Sequence, residues 1–180
     1  MIRGETLVSG LELRQAMCPY KIGHIATTGR MTVQSREPVV RAVYEKLGGR
    51  SAVGVEVTSA ADLARIVSHR IPLRALTHIQ RQGLFSDAEI QRFIIPARTR
   101  RHREQKKEPL TIEESDRLVR MARVQAIAED VFGDSTRANQ WLREPLGELS
   151  GSAPLEWART EAGARLVEGI LAKIDWGAAA

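Results

Sequence analysis

The stretch from Thr111 to Gly133, TIEESDRLVRMARVQAIAEDVFG, restricts the fold more than any other part of the chain. Thr111 is placed as an N-cap, and Glu113, Glu114 and Asp116 follow where carboxylates complement the helix dipole. Ile112, Leu118, Val119, Ala122, Ile127, Ala128 and Val131 recur as an apolar face, and Gly133 closes the helix. A long helix with such a face is stable in water only when other elements cover it.

The segments before it supply candidates. Ser59 and Asp62 form a capping-box start for a helix carrying Ala61, Leu63, Ala64, Ile66 and Val67. That helix ends near Arg70, because Pro72 biases Ile71 away from helical geometry. Leu73, Leu76 and Ile79 continue a second helix to a C-cap at Gly83. Ser86 and Glu89 make another capping box, with Ile90, Phe93 and Ile94 on one buried face. Pro96 fits the first turn of a further helix. Residues 58–132 therefore read as a five-helix domain. After Gly133 come a short helix from Ser135 to Arg143, a loop, and a helix from Thr160 through Ile174. Its expected buried face is Leu166, Val167, Ile170, Leu171 and Ile174. Earlier, Pro38 to Leu47 reads as a short helix stopped by Gly48-Gly49, and Val53 to Val57 as a brief strand. Leu7 to Met17 fits neither period, and Tyr20 to Val33 is extended or disordered, so residues 1–57 are expected to form a variable arm. The fold class is all-α.

Charge divides the chain more sharply than its net +5 suggests. Residues 1–60 hold 8 basic and 5 acidic side chains, residues 61–107 hold 11 and 4, and residues 108–180 hold 8 and 13. A basic block beside an acidic one implies two different partners, the first a phosphate backbone. Aromatic residues make up only 4% of the chain, which argues against single-strand or RNA binding on stacking platforms. The one cysteine, Cys18, permits no intramolecular disulfide. No run approaches the roughly 18 apolar residues of a membrane span, and MIRGETLVSG lacks the core of a signal peptide. A cytoplasmic protein that does not engage membranes is expected.

Catalytic and metal chemistry find no footing. His24, His69, His78 and His102 lie far apart, outside any metal-ligand spacing. There is no Walker A, GxGxxG or GxSxG, and the carboxylate pairs Glu113-Glu114 and Glu129-Asp130 suit solvated helix faces. The reading is a protein with no catalytic residues, no metal and no cofactor, not an enzyme.

The basic block is concentrated in GLFSDAEIQRFIIPARTRRHREQKK, residues 83–107. A short helix, a tight turn and an Arg-rich helix is the outline of a helix-turn-helix, whose second helix enters the major groove. A solvated basic helix is the commoner meaning of an isolated charge run, and the context decides between the two. Arg98, Thr99, Arg101 and His102 share one face and are candidates for base contact. Arg100, Arg103, Lys106 and Lys107 are candidates for phosphate, with Ser86 and Gln91 touching the backbone from the preceding helix. Helix-turn-helix proteins commonly bind as dimers across two half-sites, so a homodimer is expected.

Two segments carry a family likeness. One runs IPLRALTHIQRQGLFSDAEIQRFIIPARTRRHREQKKEPLTIEESDRLVRMARV. The other is AEDVFGDSTRANQWLREPLGELSGSAPLEWARTEAGARLVEGILAKIDWGAAA. The order ESDRLVRMAR, VFGD, WLREP, a Pro-Leu turn and TEAGARLVEGILAKIDWG resembles the Xre/MbcA/ParS antitoxins, partners of RES-domain toxins. The likeness implies an Xre-like helix-turn-helix domain, 58–132, followed by a small helical toxin-binding domain, 133–180. It implies two jobs: neutralising a RES toxin, a class that destroys cellular NAD, and sitting on the promoter of its own operon within a larger complex.

In that family the C-terminal helix and tail enter the toxin's cleft. Carried over, the blocking tail is Asp175, Trp176, Gly177, Ala178, Ala179 and Ala180. The terminal alanines depart from the larger residue that family tails carry there. Lys173 and Trp157 join them as candidate toxin contacts, although Trp141 and Trp157 sit inside helical segments where core packing is the usual role. Trp176 is of the residue type most enriched at interface hot spots, and its alternative is to fold back on Trp157 or Trp141. A free-standing transcription regulator with a C-terminal dimerisation unit is the competing reading.

Overall fold

The computed structural model describes residues 36–177. Among these the chain forms ten α-helices and no strand. They are α1 (Arg36–Lys46), α2 (Gly49–Val53), α3 (Ala60–Ser68), α4 (Leu73–Arg81), α5 (Asp87–Phe93), α6 (Ala97–Lys106), α7 (Ile112–Phe132), α8 (Ser135–Arg143), α9 (Pro154–Trp157) and α10 (Glu161–Asp175). The readings made on Leu7 to Met17, Tyr20 to Val33, Cys18, His24 and Ala178 to Ala180 lie outside the described residues.

The helix boundaries follow from local chemistry. Ser59, Ser86 and Thr111 each close a full capping box, with Asp62, Glu89 and Glu114 as the reciprocal carboxylates. Gly133 ends α7 in the left-handed conformation, and Thr160 caps α10 by accepting from the Gly163 N–H. Pro96 occupies the N-cap of α6, one position before the first turn. The expected strand at Val53–Val57 does not form. Val53 ends α2, Gly54 turns the chain at φ 98°, and only Val53 and Val57 of this run's valines are buried. Too few residues remain extended there for a strand, and none pairs.

α7 is the axis of the structure. At 21 residues it is about 30 Å long. One apolar face was expected, but α1, α3, α8 and α10 all pack on it. Leu118, Val119, Met121, Ala122, Val124, Ala126 and Ala128 are all buried. Ile112 is the exception, 50% exposed, because it is the first helical residue and precedes the packed section.

Buried polar groups on a core helix must be satisfied, and each of the four on α7 is bonded to another part of the fold. Glu114 pairs with Arg103 of α6 at 3.0 Å. The Ser115 hydroxyl accepts from the Ile71 N–H at 3.0 Å, fixing the corner between α3 and α4. Arg120 donates to the carbonyls of Ala158 and Arg159 between α9 and α10. Gln125 donates to Asn139 of α8 at 3.0 Å.

The described part of 1–57 is built into this core. Val40 and Val43 of α1 and Leu47 just after it are buried, and Lys46 is ion-paired with Glu129 of α7. Gly48 makes the close passage possible. Its φ is 92°, and a Cβ there would come within 2.8 Å of the His78 ring.

Candidate functional site

Two outward surfaces stand apart chemically, one on α6 and one on α10. α6 follows α5 after Ile94 and Ile95, both buried, and Pro96. α5 buries Ile90 and Phe93, so this helix pair is anchored from below while α6 buries no residue. Arg98, Arg101 and His102 are exposed, and Thr99 is half-buried at the edge of the same face. Gln105 is exposed too and completes the i, i+3, i+4, i+7 row; the sequence reading passed over it, though that spacing alone points to it.

The other arginines of α6 have internal partners. Arg100, with 19% of its side chain exposed, donates to Glu104 at 2.9 Å and to Gln80 of α4 at 2.6 Å. Arg103, 13% exposed, lies against Glu108 and Glu114 and donates to the Pro109 carbonyl. These bonds hold α6 against α4 and α7, so both side chains would have to leave them to reach a phosphate. Lys106 and Lys107 are exposed, with Lys107 in a left-handed C-cap at φ 54°. Ser86 uses its hydroxyl in the α5 capping box with Glu89, and Gln91 is exposed.

α10 begins by a close approach. A Cβ on Gly163 would lie 1.9 Å from the Trp157 carbonyl oxygen, so only glycine lets α10 start there. Its inner face buries Ala164, Val167 and Leu171. Arg123 of α7 fastens the helix, reaching Glu168 at 2.8 Å and Glu161 at 3.1 Å. Burial works against the Arg123 charge, but the two carboxylates outweigh it and its pKa rises above the ordinary value.

Leu166 was expected on the inner face, but it points outward and is 53% exposed. The helical register explains this: Val167 and Leu171 face α7, and Leu166 lies about 100° round the helix from Val167. With Ala162, Gly169, Lys173 and Trp176, all exposed, it forms an outer stripe at helical spacing. Trp176, at the C-cap of α10, is 63% exposed and does not fold back into the core. Asp175 and Gly177 beside it are exposed. Trp141 packs against Phe132 with ring centroids 5.6 Å apart. Trp157 is half-buried, and its indole N–H donates to the Leu149 carbonyl at 3.2 Å.

Among the described residues, no group of three His, Cys, Asp or Glu side chains is placed to hold a metal ion. Nor is any of their helices long and apolar enough to cross a membrane.

Comparison with known proteins divides the chain at the same axis. Residues 62–123 match the model of the antitoxin Xre-like helix-turn-helix domain. Residues 128–177 match the antitoxin Xre/MbcA/ParS C-terminal toxin-binding domain. An antitoxin Xre of Photorhabdus laumondii is 32% identical over 127 residues, covering 69% of this chain and 86% of that protein. The chain belongs to the Xre/MbcA/ParS antitoxin family. An antitoxin Xre of Pseudomonas putida is 38% identical over 102 residues, 57% of this chain and 64% of the relative. One from Yersinia enterocolitica is 35% identical over 84 residues, 46% of this chain and 57% of the relative. The α6 surface lies within the first family match and the α10 stripe within the second.

Proposed function

We propose that this protein is the antitoxin of a type II toxin–antitoxin pair whose toxin has a RES domain and degrades NAD. It acts in the cytoplasm as a binding protein without catalysis of its own. α10 docks on the toxin through Leu166, Gly169, Lys173 and Trp176, and the segment from Asp175 onward occludes the toxin's active site. α6 reads the promoter of the protein's own operon, with Arg98, Arg101 and His102 toward the bases and Lys106 and Lys107 toward phosphate. Two copies of the chain, placed on two half-sites, supply the affinity that one helix-turn-helix lacks. The domain division at 58–132 and 133–180 serves these two jobs.

The observation that carries this reading is the solvent-facing Trp176–Leu166 stripe within the matched toxin-binding domain. Large apolar side chains held outward on a well-packed helix are the anchors that interfaces use. The same stripe also fits a second copy of the chain, which is the arrangement of a free-standing regulator with a dimerisation unit. Co-expression with a RES toxin separates the two. The full chain is expected to restore cellular NAD and growth, and a chain truncated after Lys173 is expected not to. If the truncated chain protects equally, the occluding-tail mechanism is wrong.

A further inference from the structure

The helix-turn-helix is held from outside its own family match, by a residue of the toxin-binding half. Arg143, at the end of α8, donates through Nε to Glu89 Oε1 at 2.7 Å and through Nη2 to Glu89 Oε2 at 3.0 Å. Nη2 also donates to the Leu84 carbonyl at 3.1 Å. Both targets set the start of α5. Leu84 belongs to the turn that enters the helix, and Glu89 is the carboxylate of its capping box, accepting from the Ser86 N–H at 2.7 Å. A planar guanidinium that takes both oxygens of one carboxylate fixes orientation as well as distance. Arg92 of α5 makes a second tie, to Glu156 of α9 at 2.9 Å.

The Glu89 carboxyl is also held ionised. Burial raises its pKa, but Arg143 and the Ser86 N–H and hydroxyl outweigh burial and leave it below the ordinary value. The α5 start is therefore tied to α8 by a charge pair that persists at neutral pH.

We propose that Arg143 is a positioning residue for DNA reading: it sets the pose of α5, and so of α6, without touching DNA. This rests on the reading that α6 binds promoter DNA. It makes operator affinity a property of both matched domains together.

The test measures binding of the full-length protein to promoter DNA across a salt series, beside toxin inhibition. Arg143→Met keeps the apolar stem and removes the fork. It is expected to weaken DNA binding about tenfold, to leave the salt slope unchanged because no phosphate contact is lost, and to inhibit toxin normally. Arg143→Lys, which retains the charge but not the bidentate geometry, should fall between it and the wild type. Glu89→Gln, which keeps an acceptor for the cap, should reproduce the loss. In all three, amide exchange should quicken across Ser86–Phe93.

Wild-type affinity in both Arg143→Met and Glu89→Gln overturns the proposal. So does a salt slope reduced by about one in Arg143→Met, which would make Arg143 a phosphate contact. If the wild-type protein itself leaves promoter DNA unshifted across the series, the DNA reading falls and takes this inference with it.

Discussion

α6 and α10 are mounted alike and exposed differently. Each is fastened to α7 by an arginine–carboxylate pairing, Arg103 with Glu114 for one and Arg123 with Glu161 and Glu168 for the other. Each leaves one face to solvent. The free face of α6 is cationic, and that of α10 is largely apolar, with Lys173 and the exposed Arg165 as its cations. The difference teaches that the packing does not decide the partner; the outward residues do. A cationic helix face attracts phosphate with a strong salt dependence, and an apolar stripe attracts a complementary protein groove with little.

The largest effect expected is from Gly163→Ala. A Cβ placed 1.9 Å from a backbone carbonyl cannot be absorbed by a side-chain rotation. The start of α10 must shift, at a cost of about 3 kcal/mol in chemical denaturation. Toxin binding should collapse in this variant, and intact binding would mean that the interface does not depend on the pose of α10.

Trp176→Ala comes next. It should cost about 2 kcal/mol or more in toxin affinity by calorimetry, with stability unchanged, since Trp176 leaves the core empty-handed. Arg101→Ala is its counterpart on α6, expected to cost about 2 kcal/mol against the operator and to relax specificity at one base pair. Lys106→Ala should instead weaken binding to all sequences alike and lower the salt slope by about one.

Thr111→Ala tests the shared mount. Loss of the N-cap of α7 should lower stability by about 1 kcal/mol and affect both surfaces only through that loss. The smallest effect is acid titration of Asp62. Hydrogen bonds from Ser59 first, and then from Thr58, lower its pKa from 3.8 to about 2. Its folded pKa is depressed, so its contribution is complete above about pH 4 and disappears as pH falls through 2. Asp62→Asn should flatten the stability–pH curve in that window alone.

Much of this architecture was legible because it is written in neighbouring residues. The caps at Ser59, Ser86, Thr111 and Thr160 and the stop at Gly133 are local chemistry, and each helix begins or ends where they place it. What escaped depends on partners far along the chain. That Arg100 and Arg103 have internal partners could not be read from a charge run, because Gln80 and Glu114 come together with them only in the fold. Leu166 was taken for core because it lies beside Val167, and one step of helical register separates a buried position from an exposed one. The single face assigned to α7 failed for a related reason: its polar residues Ser115, Arg120 and Gln125 are buried, each bonded to a group that sequence spacing does not reveal.

What matters most is whether one chain carries two separable binding surfaces, on α6 and on α10, both mounted on α7. The most direct test takes two proteins, Arg98→Ala/Arg101→Ala and Trp176→Ala, and measures both promoter DNA binding and RES toxin inhibition for each. The account predicts a crossed result: the α6 variant loses DNA and still inhibits, while the α10 variant binds DNA and inhibits poorly. Parallel loss of both activities in either variant, with the fold intact, would contradict it.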